Sequence, residues 1–118
     1  MRILIIDDEP AVSAILAEAL RHEGNEVAVA DNGEQGLTAI LREPPDAVFL
    51  DIVMPGMDGI EVLRRIRERH PALPVIVLSG WASDEQAEAA RRLGATDVVT
   101  KPDALRNIPN ALARLRPI

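Results

Sequence analysis

The 118-residue chain has no cysteine and no tyrosine, one phenylalanine and one tryptophan. Without cysteine there is no disulfide framework, no thiol chemistry and no thiolate metal site. It also lacks a long apolar run. The first, Ile3 to Ile6, is too short for a signal-peptide core or a membrane span, so a cytoplasmic protein with no membrane association is the simplest expectation. Positive charge is scarce: the formal net charge is −6. A nucleic-acid surface normally carries a basic stripe, so direct nucleic-acid binding by this chain is not expected. Lysine is scarcest of all. Lys101 is the only lysine among 13 lysine and arginine residues, and it stands just before Pro102.

What is present is apolar: 47% of the residues are hydrophobic, enough for one domain with a proper core. Short β-branched runs alternate with longer periodic segments. The runs are Ile3–Ile6, Val27–Ala30, Ala47–Leu50, Val75–Leu78 and Asp97–Thr100. After Pro10, residues Val12, Ile15, Leu16, Ala19 and Leu20 form one helical stripe. Further helical patterns cover Gly33–Arg42, Gly59–His70, Ser83–Leu93 and Ala104–Leu115, with Gly24 and Gly94 where helix C-caps belong. Pro109 interrupts the last pattern and predicts a kink or a delayed start. Five strand–helix repeats predict a doubly wound α/β domain with a five-stranded parallel sheet. In such sheets the carboxyl ends of the strands form the functional rim.

Four strand ends carry chemistry. The first, "LIIDDEP", supplies Asp7, Asp8 and Glu9. Adjacent carboxylates repel unless a cation sits between them, and Mg²⁺ accepts one or two carboxylates with other oxygens. Helix N-capping accounts for only one acid of the three. The third, "AVFLDIVMPGMDG", ends in Asp51, placed as a carboxylate nucleophile able to form an acyl phosphate; a turn or cap role is the alternative. The fourth, "VIVLSGWAS", offers the Ser79 hydroxyl beside Gly80, or an ordinary Ser–Gly turn. The fifth ends in Lys101, a compact point charge suited to one phosphoryl oxygen, where arginine's fork suits two. His22 and His70 lie near helix ends, away from the rim, and read as solvated cap or loop residues. Together the four strand ends compose a site for phosphoryl transfer to Asp51.

The stretches "LIIDDEP", "LDIVMPGMDG", "LSG" and "TKP", with "DNGEQGL" between the first two, stand in order and at matching spacing. The sequence therefore resembles a response-regulator receiver domain of two-component signalling, from Met1 to about Leu115, and residues 1–118 are read as a single such domain. The resemblance implies a flavodoxin-like (βα)5 fold with strand order 2-1-3-4-5. It implies that Asp51 takes a phosphoryl group from the phosphohistidine of a histidine kinase or a histidine phosphotransfer protein. Asp7, Asp8, Asp51 and the Val53 backbone carbonyl would hold Mg²⁺ or Mn²⁺, and Ser79 and Lys101 would contact the phosphoryl oxygens. It further implies a cis bond before Pro102. The fourth helix, fifth strand and fifth helix would form the face used for homodimers and partners.

The sequence departs from the family's pattern on that face. Val98 occupies the position of the switching aromatic, Asp103 stands where an aromatic is common, and Pro109 breaks the last pattern. These departures favour the alternative of a phosphate-independent receiver-shaped interaction module; the intact acceptor, acids, Ser79 and Lys101 oppose it. Trp81 and Val53 would flank the mouth of the site and make an apolar lip that hinders hydrolysis, or Trp81 would simply pack on the fourth helix. The expected activity is the domain's own phosphotransfer and slow autodephosphorylation, not metabolic catalysis. A haloacid-dehalogenase-like phosphatase would carry an acid two residues after its nucleophile, where this chain has Val53. A flavin carrier would need a hydroxyl- and glycine-rich loop in place of "DDEP".

Overall fold

The computed structural model describes residues 1–54, 56–80 and 84–115. Five strands alternate with helices: β1 (Arg2–Ile6), α1 (Pro10–His22), β2 (Glu26–Ala30), α2 (Gly33–Arg42), β3 (Ala47–Asp51), α3 (Gly59–Arg69), β4 (Val75–Ser79), α4 (Asp84–Arg92), β5 (Asp97–Thr100), α5 (Lys101–Arg106) and α6 (Ile108–Ala113). The strands form one parallel sheet in the order β2-β1-β3-β4-β5. This is the flavodoxin-like arrangement, with β1 and β3 adjacent at the point where the strand order reverses. No helix among the described residues is long and apolar enough to cross a membrane.

Strand alternation divides the core between the two faces of the sheet. Ile3, Ile5, Phe49, Ile76, Leu78 and Val99 join Leu16, Leu20, Ile108 and Leu112 in one cluster beneath α1, α5 and α6. Leu4, Ile6, Val48, Leu50, Val75 and Val77 join Ile40, Val62, Leu63 and Ile66 in the other, beneath α2 and α3. The central strands are covered on both faces, which is why β1, β3 and β4 read as continuous apolar runs. Gly24 and Gly94 close α1 and α4 with φ near +90°, at 90° and 89°. That backbone conformation is the one a helix-ending glycine adopts without strain.

Two expectations fail near the end of the chain, the first through capping. The helical pattern expected over Ala104–Leu115 is two helices, so the five-fold strand–helix repeat ends in an extra helix. Pro109 has no N–H to give, and Asn107 leaves helical geometry (φ −144°, ψ 80°) to cap α6 through its side chain, accepting from the Asn110 N–H. The helix before it starts early, at Lys101, because the Thr100 hydroxyl accepts from the Asp103 N–H. The bond before Pro102 is trans, and no cis peptide occurs among the described residues. Pro102 lies in the first turn of α5, where its missing N–H costs no helical hydrogen bond.

Candidate functional site

The register of the sheet assembles the site. Ile6 of β1 pairs with Leu50 of β3, so Asp7 and Asp51 emerge one residue later on neighbouring strands. Asp51 in turn pairs with Leu78, and Ser79 with Thr100. Ser79 therefore closes β4, half-buried on the same rim, and Lys101 begins where β5 stops. Residues separated by up to 94 positions in the chain meet at one end of the sheet.

The loop after Asp51 is folded back tightly. The Gly59 N–H donates to the Ile52 carbonyl at 3.0 Å, and the Asp58 side chain caps α3 by accepting from Glu61 N–H at 2.9 Å. A Cβ on Gly59 would stand 2.4 Å from the Asp51 carbonyl oxygen and 2.4 Å from Ile52 Cα, so only glycine fits there. Ile52 and Met54 are buried in the second core cluster while Val53 between them is exposed. That placement explains an apolar triplet in a position where a polar turn would be ordinary. It also aims the Val53 N–H at Asp51 Oδ1, 3.1 Å away, and leaves the Val53 side chain exposed.

Lys101 Nζ is the hub. It lies 3.1 Å from Asp51 Oδ2, 3.2 Å from Asp7 Oδ2 and in hydrogen-bond contact with Glu9 Oε1. One carboxylate oxygen from each of Asp7, Asp8, Glu9 and Asp51 falls within 4.8 Å of the others. Asp7 and Asp51 are each only 1% exposed. Burial, reinforced by the neighbouring Asp7 charge, pushes the Asp51 carboxyl up to about 6, against the lowering effect of its bonds from Lys101 and Val53 N–H. Burial alone would lower the Lys101 ammonium, but its bonds to Glu9 and Asp51 and the charges of Asp51 and Asp7 hold it above its ordinary value.

The acid pair fits a hard divalent cation. Asp7 Oδ2 is buried and, apart from its ion pair with Lys101 at 3.2 Å, accepts no hydrogen bond, which leaves it free to take a cation. A single ammonium against four carboxylates leaves negative charge that one divalent cation would offset. Oxygen-only donors are the set that magnesium and manganese prefer.

Sequence reasoning gathered Asp7, Asp8, Asp51, Ser79 and Lys101 to one rim, and the structure brings them there. It did not single out Glu9, whose exposed side chain reaches the ammonium. The acid run is the available signal, since N-capping accounts for only one of its three members. Glu9 does stand at the N-cap of α1, yet makes no side-chain capping bond; instead its N–H donates to Asp7 Oδ1 at 2.9 Å. Val98 lies on β5 opposite Val77, half-buried against the second cluster. Trp81 lies outside the described residues.

Residues 3–113 match the family model for the response regulator receiver domain. The chain belongs to that family. It is 40% identical over 116 residues to the response regulator MprA of Mycobacterium leprae, covering 98% of this chain and 50% of that protein. To the probable transcriptional regulatory protein TcrX of Mycobacterium tuberculosis it is 36% identical over 106 residues, 90% of this chain and 45% of the relative. The chain thus spans about half the length of the curated relatives it matches. Among solved structures, the receiver domain of NtrX from Brucella abortus superposes with a TM-score of 0.85 at 39% identity, covering 96% of this chain and 97% of that one. The chemotaxis protein CheY4 of Vibrio cholerae gives 0.89 at 25% identity, covering 98% of each. As a receiver domain, the chain is a module of two-component signalling.

Proposed function

We propose that the domain receives a phosphoryl group on Asp51 from the phosphohistidine of a histidine kinase or a histidine phosphotransfer protein. The observation that carries this reading is the buried Asp51 carboxylate, held by Lys101 at 3.1 Å and by the Val53 N–H at 3.1 Å among three further acids. A carboxylate oxygen of Asp51 attacks phosphorus as the P–N bond to the donor imidazole breaks, and the imidazole leaves with its electron pair. Lys101 offsets the charge on the transferred group, and the Ser79 hydroxyl donates to one of its oxygens. Asp7, Asp8 and Asp51, with the Val53 backbone carbonyl, would hold Mg²⁺ or Mn²⁺, whose chemistry when bound is to polarise phosphoryl oxygens. Slow loss of the acyl phosphate to water resets the domain, with Val53 at the mouth of the site limiting access.

The output face is α4, β5 and the α5–α6 segment. We infer that it serves a homodimer or another partner without the usual aromatic rotamer, because Val98 is too small to swing. The same features support the second reading, a phosphate-independent interaction module: a valine at the switch position and a helix broken at Asn107. Incubation with an autophosphorylated kinase domain separates the two. The first reading expects transfer of label to the parent and not to Asp51→Asn, with the label released by hydroxylamine as an acyl phosphate is. Absence of transfer from kinase and small-molecule donors alike supports the second.

A further inference from the structure

An ammonium has three N–H donors, and those of Lys101 face three carboxylates: Asp7, Asp51 and Glu9. An oxygen of an incoming phosphoryl group must therefore displace one of them. Two are fixed. The Asp7 and Asp51 side chains are 0% and 2% exposed. Each is also held through its Oδ1 by a backbone N–H, from Glu9 and Val53 respectively. Glu9 is the third, with a side chain 57% exposed and no capping bond to tie it elsewhere. It also stands at the start of a 13-residue helix, where a freed carboxylate is electrostatically welcome.

We propose that Glu9 is a positioning residue for Lys101: it holds the third N–H of the ammonium while Asp51 is unmodified and yields it to the phosphoryl oxygens when Asp51 is loaded. Glu9 and the phosphoryl group then compete for one donor. The competition sets how tightly the loaded state is held, and loading delivers a free carboxylate to the surface at the start of α1. This extends the phosphoacceptor reading and rests on it.

The test compares the parent with Glu9→Gln and Glu9→Asp. The Gln side chain keeps its length and loses the charge; the Asp side chain keeps the charge and is one methylene short of the ammonium. The probe is beryllofluoride, a phosphoryl mimic, titrated by calorimetry at saturating Mg²⁺ so that a change in cation affinity does not enter. Thermal melting confirms that each variant is folded. Release of a competitor predicts about two- to fivefold tighter beryllofluoride binding in both variants, the range an exposed ion pair spans. In the parent, the Glu9 side-chain carboxyl carbon should shift in NMR spectra on loading, to the position of a solvated glutamate. Equal affinity in all three proteins overturns the proposal. Tighter binding by Glu9→Gln with Asp unchanged also overturns it, because charge repulsion alone then explains the effect. A parent that binds no beryllofluoride removes the phosphoacceptor reading itself, and the proposal with it.

Discussion

Lys101 Nζ lies 3.1 Å from Asp51 Oδ2, joining two residues 50 positions apart in the chain. Both are buried, and the only lysine of the chain serves as the counter-ion of Asp7 and Asp51, the buried acids among the described residues. Removing one partner of such a pair leaves uncompensated charge in the interior, which costs about 3–5 kcal/mol where the pair is fully buried. Lys101→Met should therefore destabilise metal-free protein at neutral pH by about 2–4 kcal/mol in urea unfolding. Millimolar Mg²⁺ should recover much of that loss. A variant as stable as the parent in chelator would show that the acids do not depend on the lysine.

The raised Asp51 carboxyl gives stability a definite pH dependence. Its folded value, about 6, exceeds its ordinary value of 3.8, so the folded protein binds the proton more tightly than the unfolded chain. The associated stability is fully present below about pH 4 and is lost as pH rises through 6. Asp51→Asn should therefore be more stable than the parent in chelator at pH 8, by about 1–3 kcal/mol, and the gap should close below pH 4. The check is a pair of urea denaturation series across pH. A gap that widens on acidification would reverse the sign.

Gly59 tests the link from loop packing to the site. An alanine Cβ would press on the Asp51 carbonyl and the Ile52 backbone at 2.4 Å, with backbone on both sides and little room to relax. Gly59→Ala should cost about 1–3 kcal/mol, the usual range for overpacking, and slow phosphorylation as well by shifting Asp51. Gly24→Ala gives the contrast: no neighbour lies near its Cβ, and any cost arises from φ alone, with phosphorylation unchanged.

Much of this was legible from the chain because strands covered on both faces write themselves as apolar runs and helices as stripes. Asp7 and Asp51 could be placed on one rim from the run that precedes each. Less legible were features set by geometry across the fold. The reach of Glu9 to Lys101 depends on where β5 ends, 92 residues away. The early start of α5 depends on Thr100 capping it, and the break at Asn107 on that side chain's choice of partner. The resemblance to the family implies a cis bond before Pro102, whereas the bond is trans and Pro102 sits in the first turn of α5.

Val53, two residues after the acceptor, is exposed, 49% accessible, with its N–H committed to Asp51. Its side chain should slow the approach of water to an acyl phosphate. Val53→Ala should shorten the phosphate lifetime about two- to threefold, a fraction of a kcal/mol in barrier, read as inorganic phosphate released after donor removal. An unchanged lifetime would remove Val53 from the lip.

The central claim is that Asp51 is a cation-dependent phosphoacceptor, and intact mass tests it most directly. The parent and Asp51→Asn are each incubated with acetyl phosphate and Mg²⁺, and the parent again with chelator. The account predicts one added phosphoryl group on the parent with Mg²⁺, none with chelator and none on Asp51→Asn. An adduct that survives in Asp51→Asn, or that forms equally well in chelator, would contradict it.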